Sequence, residues 1–291
     1  MAVDLQKLKR KMRGVVSTRQ VTRALQMVSA MKMRKAQDLS ARSQAYRRGI
    51  EELIRSFEVP ASVAVPELAA SPGTATLLVT FASDRGLCGP FNSHILNSVA
   101  RTAREEGPGN VDVVSVGWKV GAVLTRRGYK VLSNRRRPAE ADRPAFLAEL
   151  GNELRSLWAS GRYRSIQLLY SSLRGMTVLK PEARPWLPLG AAEHGRHGRV
   201  PEALGVFIDE PGLVGVYAAT IRRFLDNALL VAVLDSEASE HVARMIAMDN
   251  ATRNAEELHD SLKLTFNKAR QAKITQEICE IVGGANAIGK G

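Results

Sequence analysis

Few side chains in this sequence stand at spacings that could do chemistry. Cys88 and His94 could pair as a thiol nucleophile and an imidazole base, but no neighbouring group orients the histidine. The turn Ser83-Asp84-Arg85-Gly86-Leu87-Cys88-Gly89-Pro90 could hold a phosphate at the start of a following helix. It is neither a GxGxxG run nor a Walker loop, since it has no Gly-Lys-Ser/Thr, and it reads as a structural turn. His194 and His197 form an HxxH in a Gly- and Arg-rich stretch, with no further Cys, His or Asp at ligand spacing. They read as a solvated loop, and His241 and His259 as surface residues on a helix. These residues predict no catalytic set, no metal site and no cofactor.

The elements that would position such residues divide by their proline and glycine. Residues 1–59 contain no proline and only Gly14 and Gly49. All twelve prolines fall in the middle of the chain, and residues 216–282 contain neither residue type. Both types break helices, so the ends read as long helices and the middle as an inserted compact domain. In that middle, 76–83 (TLLVTFAS), 111–117 (VDVVSVG), 165–172 (SIQLLYSS) and 203–209 (ALGVFID) read as buried strands. Residues 91–106 and 143–160 read as helices between them, and 181–201 as a loop. This alternation predicts a Rossmann-like α/β layer with a largely parallel sheet. The expected division is 1–59 for the first coiled-coil helix, 70–210 for the α/β domain and 212–287 for the second coiled-coil helix.

Within the ends, apolar residues recur at helical spacing. The first helix offers Leu5, Leu8, Met12 and Val15, loses register at Arg19 and Thr22, then regains a stripe at Val21, Leu25, Val28 and Met31. The last helix offers Met245, Met248, Ala255, Leu258, Leu262, Phe266 and Ala269, then shifts to Ile274, Ile278 and Ile281. Two such stripes predict a long antiparallel coiled coil of the terminal helices, irregular where register breaks. A helix of about 50 residues is on the order of 75 Å long, so the pair should protrude from the middle domain. Past Ala269, however, Arg270, Gln271, Lys273, Thr275, Gln276, Glu277 and Glu280 put polar groups on every face. A helix packed inside a globule shows one apolar stripe instead.

The chain is 291 residues long with a formal net charge of +13. Residues 1–50 carry thirteen Lys/Arg against Asp4 and Asp38, a balance of +11. Their partner should be acidic: nucleic acid, an anionic membrane or an acidic protein surface. The basic residues alternate with Met12, Val21, Leu25, Met27, Val28, Met31 and Met33, a mixture suited to a protein socket. Aromatic residues make up only 5%, which argues against stacking platforms for single strands. Cys88 and Cys279 stand far apart and outside any CxxC pattern, as expected of free thiols in a reducing compartment. No apolar run approaches a membrane span, and no apolar segment follows the basic N-terminus as a secretory signal requires.

Three segments carry a resemblance to a known family. LQKLKRKMRGVVSTRQVTRALQMVSAMKMRKAQ (5–37), SDRGLCGPFN (83–92) and SEHVARMIAMDNATRNAEELHDSLKLTFNKARQAKITQEICEIVGGANA (239–287) resemble, in order and separation, the gamma subunit of F-type ATP synthases. The resemblance implies a non-catalytic rotor that couples ion-driven c-ring rotation to ATP synthesis or hydrolysis. Its partners would be the alpha and beta subunits of the catalytic hexamer, the epsilon subunit and the c ring. Membrane attachment would come only through the complex, at the cytoplasmic face of a bacterial inner membrane. It places Leu25, Arg244, Arg270, Gln271, Thr275 and Glu277 against beta subunits, and Asp209 and Glu210 near the foot on the c ring and epsilon. A nucleic-acid-binding protein using the basic N-terminal helix is the alternative. Two departures stand out: Leu25 replaces the family's usual methionine, a volume-conserving swap, and Pro90 replaces the second glycine of the usual CGGFN, removing a backbone N–H. The loop 191–199 has no family counterpart.

Overall fold

The computed structural model describes residues 5–57, 65–107, 109–174, 177–178, 180–189 and 212–288. The expected strand 203–209, Asp209, Glu210, His194, His197 and the loop 191–199 lie outside the described residues. Two long helices hold the ends of the chain, α1 (Leu5–Ser56) and α5 (Leu213–Ile288). Between them come β1 (Ala75–Phe81), α2 (Phe91–Glu106), β2 (Val111–Val116), α3 (Trp118–Arg126), β3 (Lys130–Arg135), α4 (Arg143–Ala159) and β4 (Tyr163–Tyr170). A two-stranded pair, β5 (Leu173–Arg174) and β6 (Thr177–Val178), precedes β7 (Glu182–Leu187). The chain forms two units, residues 30–244 and residues 1–29 with 245–291.

In the first of these units five strands line up in the order β3-β2-β1-β4-β7. β3, β2, β1 and β4 are mutually parallel, and β7 joins β4 antiparallel. β1 is buried along its whole length, as expected of a central strand covered on both faces, and its two threonines are paired, Thr76 with Ser165 at 3.3 Å and Thr80 with Ser115 at 3.2 Å. On one face Leu77, Val79, Phe81, Ile166 and Leu168 pack with Leu150 and Leu154 of α4, Ile50 and Ile54 of α1, and Ile221, Phe224, Leu225 and Leu229 of α5. On the other, Leu78, Val113 and Leu169 meet Ile95 and Val99 of α2 and Val120 and Leu124 of α3. Trp186 is fully buried, with its indole N–H donated to the Leu225 carbonyl at 3.0 Å. This is the expected α/β layer, with three elements more than the sequence shows. α3 has only nine residues around Gly121, and β3 is a half-exposed edge strand. β7 corrects the expectation of a loop at 181–201. Pro185 lowers its strand character, but an edge strand tolerates a missing donor.

In the second unit the helices run antiparallel: the chain advances from Thr22 to Gln26 while its partners retreat from Thr252 to Asp249. Among the partly or fully buried positions of α1, Leu5, Leu8, Met12, Val15, Arg19, Thr22, Gln26 and Ser29 alternate steps of three and four, with Val16 and Leu25 half-buried beside them. Among those of α5, Met248, Thr252, Ala255, His259, Leu262, Phe266 and Ala269 keep the same rhythm. The heptad is therefore unbroken, and the expected loss of register at Arg19 and Thr22 is wrong. Polar residues occupy seam positions: Gln26 Nε2 donates to Asp249 at 3.0 Å, and Arg19 lies 3.9 Å from Glu256. The stripe of Val21 and Val28 faces outward at 56% and 43% exposure, as does Leu258 at 44%. Met31, in the other unit, is exposed as well. The apolar stripe of α1 therefore lies mostly on the outer surface, with Leu25 half-buried between Val21 and Val28.

At the seam the Thr22 and Thr252 hydroxyls lie 2.7 Å apart. Thr22 Oγ1 also reaches the Arg19 carbonyl at 3.0 Å, and Thr252 Oγ1 the Met248 carbonyl at 2.8 Å. Two protons serve three contacts, so only two can be donated at once. Replacing both threonines by valine keeps the shape and removes the competition. The double variant is expected to melt at or above the wild-type temperature, and Thr252→Val alone below the double, because it keeps a buried hydroxyl at Thr22 whose one remaining partner is the Arg19 carbonyl. Differential scanning calorimetry of the three proteins checks this.

Candidate partner-binding surfaces

Two regions collect the sequence-derived residues, and they differ in kind. The first is the end of α5. Every described side chain from Arg270 to Gly283 is exposed. α1 begins at Leu5, and the heptad seam of α5 ends at Ala269; the positions that would continue it are Lys273, Gln276 and Glu280. Gln276 Nε2 donates to Glu280 at 2.9 Å, and Lys273 lies 3.7 Å from Glu277. Beside this polar seam, Arg270, Ile274, Glu277 and Ile281 share one helix face, and Gln271, Thr275, Ile278 and Val282 the adjacent one. Ile281 is 71% exposed and Ile278 55%. Four of the six expected beta-contact residues thus meet on one exposed patch that mixes branched aliphatic, amide and charged groups.

Leu25 stands apart from that patch. It is half-buried on α1, next to Gln26, which pairs with Asp249. Asp249 precedes Arg270 by about 20 residues, on the order of 30 Å of helix. The two locations belong to the same pair of helices but not to one site.

The second region lies in the sheet-bearing unit and holds Arg244. The strand order reverses between β1 and β4, which both leave the sheet at the same edge. In open α/β sheets the crevice outside the carboxyl ends at such a point is where ligands bind. Here α5 fills it. The Ser236 hydroxyl donates to the Phe81 carbonyl at the end of β1 at 2.9 Å, and Ser239 to the Ser171 carbonyl just past β4 at 3.0 Å. The turn after β1 is tied by Asn92, whose Oδ1 accepts from Ser83 N–H at 3.0 Å. Asp84 straps the neighbouring strands, accepting from Trp118 N–H at 2.6 Å and Arg137 N–H at 2.8 Å. Gly117 at φ 129 lets β2 leave beside β1, since a Cβ there would stand 2.7 Å from Ala82. Pro90 fits this turn: its φ of −81 is one proline adopts, and its carbonyl accepts from His94 N–H at 2.9 Å.

Glu240 sits at the centre of the crevice, 5% exposed. Arg244 Nη2 donates to its Oε1 at 2.5 Å, and Arg137 Nη1 lies 2.6 Å from its Oε2, angled too obliquely for a regular hydrogen bond. Arg244 also reaches the Gly86 carbonyl at 3.4 Å and Ser83 Oγ at 3.5 Å, and Arg137 Nη2 donates to the Ala82 carbonyl at 2.7 Å. Arg244 is therefore itself buried in its own chain's contacts. His241 is buried too, its Nδ1 3.3 Å from Arg244 Nη1, which corrects its reading as a surface residue. Arg137, Glu240, Ser236 and Ser239 escaped the sequence reading. For the three on α5 the signal was a polar run, DSEASEH, directly after the all-apolar ALLVAVL in an unbroken helix; Arg137, after β3, carried none.

Cys88 is buried, and burial first, then Glu240, pushes its thiol up, the reverse of an activated nucleophile. His94 is exposed on α2. Among the described residues no cluster of His, Cys, Asp and Glu could hold a metal, and no helix is long and apolar enough to cross a membrane.

Burial alone would raise the Glu240 carboxyl, but Arg137 and Arg244 outweigh it and hold it below its ordinary 4.5. Burial likewise opposes Glu237, which His241, Arg137 and Arg143 pull down. A depressed folded value gives stability that is present above the unfolded value and lost as pH falls through the folded one. Asp235, raised from 3.8 by burial that outweighs the lowering by the Ser40 hydroxyl and Arg184, acts in the opposite sense: its contribution is present below that value and fades as pH rises. Thermal melting is expected to drop between about pH 5 and pH 3, and less steeply in Glu240→Gln.

The chain matches the ATP synthase family model over residues 4–288. It is 34% identical over 286 residues to the ATP synthase gamma chain of Pelotomaculum thermopropionicum, covering 98% of this chain and 99% of that one. It is 35% identical over 289 residues to the ATP synthase gamma chain of Flavobacterium johnsoniae, with the same coverage. In fold it is similar to a chain of the Euglena gracilis mitochondrial ATP synthase assembly of OSCP, F1 and c-ring, with a TM-score of 0.67 at 19% identity, covering 98% of this chain and 94% of that one. A chain of the Tetrahymena thermophila mitochondrial central stalk and c-ring gives a TM-score of 0.60 at 23% identity, covering 79% and 99%.

Proposed function

The chain belongs to the ATP synthase gamma-chain family, and on that premise we propose that it works as the central-stalk rotor of an F-type ATP synthase. Its partners are the alpha and beta subunits of the catalytic hexamer, the epsilon subunit and the c ring. The observation that carries this reading is the patch at the end of α5, which leaves branched aliphatic and charged side chains exposed together where α1 no longer covers them. Such mixed exposed surface marks a protein contact.

The mechanism needs no catalytic residue in this chain. One asymmetric axle inside a pseudo-threefold ring touches three catalytic subunits differently. Each difference biases its subunit among open and closed states. Turning the axle exchanges those biases, so rotation and nucleotide affinity are reciprocally linked. Arg270, Gln271, Thr275 and Glu277 meet the beta subunits from the end of α5, and Leu25 meets them from α1. Arg244 acts from within by holding α5 against the sheet. Asp209 and Glu210 belong to the foot. The +11 balance of residues 1–50 complements an acidic beta surface. The complex sits at the cytoplasmic face of a bacterial inner membrane. The nucleic-acid alternative finds no support in the relatives.

Reconstitution tests this. Alpha and beta subunits assembled with the chain should co-purify with it in one complex, and adding epsilon and the c ring should restore ATP-driven ion pumping. A complex that pumps equally well without the chain would refute the reading, as would a salt-sensitive shift of DNA or RNA at physiological ionic strength with no subunit capture.

A further inference from the structure

The crevice at the β1–β4 reversal has the parts of an anion site. It lies outside the carboxyl ends of parallel strands, beside a strand-turn-helix segment from Ser83 to Phe91. Two guanidiniums converge there from separate elements: Arg137 follows β3 and Arg244 lies on α5. A fold of this kind ordinarily receives a small oxyanion or a nucleotide phosphate at that place. Here the anion comes from the chain itself.

The structure assigns to Glu240 the role of a built-in ligand: its carboxylate occupies an oxyanion site made by Arg137, Arg244 and the Ser83 turn, and so locks α5 into the crevice. The geometry distinguishes this from an ordinary surface ion pair. All three side chains are largely buried, at 6% for Glu240, 10% for Arg244 and 14% for Arg137. Each arginine is also held by backbone carbonyls, Arg137 by Ala82 and Arg244 by Gly86, so both remain aimed at the crevice when the carboxylate is removed. Ser239, next to Glu240, and Ser236, one helical turn before it on α5, close the strand ends on either side. The site's ligand class is therefore a small carboxylate. The assignment stands apart from the rotor reading, because it concerns how one chain folds. If that reading holds as well, this lock is what keeps α5 from twisting against the sheet.

Chemical rescue tests it in the isolated full-length chain. Glu240→Ala removes the carboxylate and leaves space for a small one beside two charges that lack their counter-ion. Its melting temperature is expected to fall by about 10 °C. Formate or acetate at about ten times a dissociation constant in the millimolar range should return about 3–5 °C to this variant. Equal ionic strength of sodium chloride should not. Neither carboxylate should shift the wild type or Val233→Ala, a destabilised core variant without a new anion site. Rescue confined to Glu240→Ala supports the assignment. No rescue beyond chloride, or an equal rise in Val233→Ala, overturns it. If Glu240→Ala does not fold, Glu240→Gln, Arg137→Gln and their double variant decide the matter. The double is expected to melt well above the sum of the single losses, and additive losses overturn the assignment.

Discussion

Ala255→Pro is expected to cost the paired helices about 3 kcal/mol or more and to disable the assembled complex. Ala255 is a buried seam position of α5, between Thr252 and Leu262 in the heptad. A proline there removes one backbone donor, and its ring clashes with the preceding turn. It also removes a knob that faces α1, so the damage exceeds the helix term alone. Circular dichroism should report lost helix, and limited proteolysis should open residues 1–29 and 245–291 before residues 30–244. In the complex, ATP-driven ion pumping should fall to background. Glu257→Ala, on the exposed side of the same turn, should do none of this. Normal helix content and pumping in Ala255→Pro would contradict both the seam and the rotor reading.

The second large effect separates stability from function. Arg270→Ala with Gln271→Ala alters two exposed side chains beyond the covered part of α5. The melting temperature of the isolated chain should therefore hold, since surface changes of this kind stay within about 0.5 kcal/mol. Turnover by the assembled complex should fall by about tenfold or more, because hydrogen bonds to a charged partner group are worth about 1.5–3 kcal/mol each. Thr275→Ala should show the same split at smaller size. Unchanged coupled turnover would remove these residues from the contact, and a matching loss of chain stability would make their role structural.

The same division between covered and uncovered helix explains what could be seen early. The unusual composition after Ala269 is legible because a helix segment that no described residue of its own chain covers has no single apolar stripe to display. The helix ends at 91 and 143 were legible because a turn sequence abruptly gives way to helical periodicity. β3, α3 and β7 were not, since nine residues around a glycine, or an edge strand with a proline, carry too little pattern to outweigh their local preferences.

The coiled-coil seam shows the limit more sharply. Val21, Leu25, Val28 and Met31 form a better apolar stripe than Arg19, Thr22, Gln26 and Ser29, yet of the four only Leu25 is even half-buried, while the polar set lies inward. Periodicity reveals that a helix has faces. Which face is covered depends on the register with a partner some 230 residues away, and here side-chain hydrogen bonds such as Thr22–Thr252 and Gln26–Asp249 mark it.

By itself the amino-acid order determined two long terminal helices, an alternating α/β insert, a basic N-terminal segment and an unpartnered C-terminal end, because each follows from local propensity, charge and spacing. Only the tertiary structure decided that Glu240, Arg137 and Arg244 share one buried crevice and that Leu25 stands far from Arg270. Those relations join segments distant in sequence, and a one-dimensional pattern cannot specify how far apart such segments come to rest.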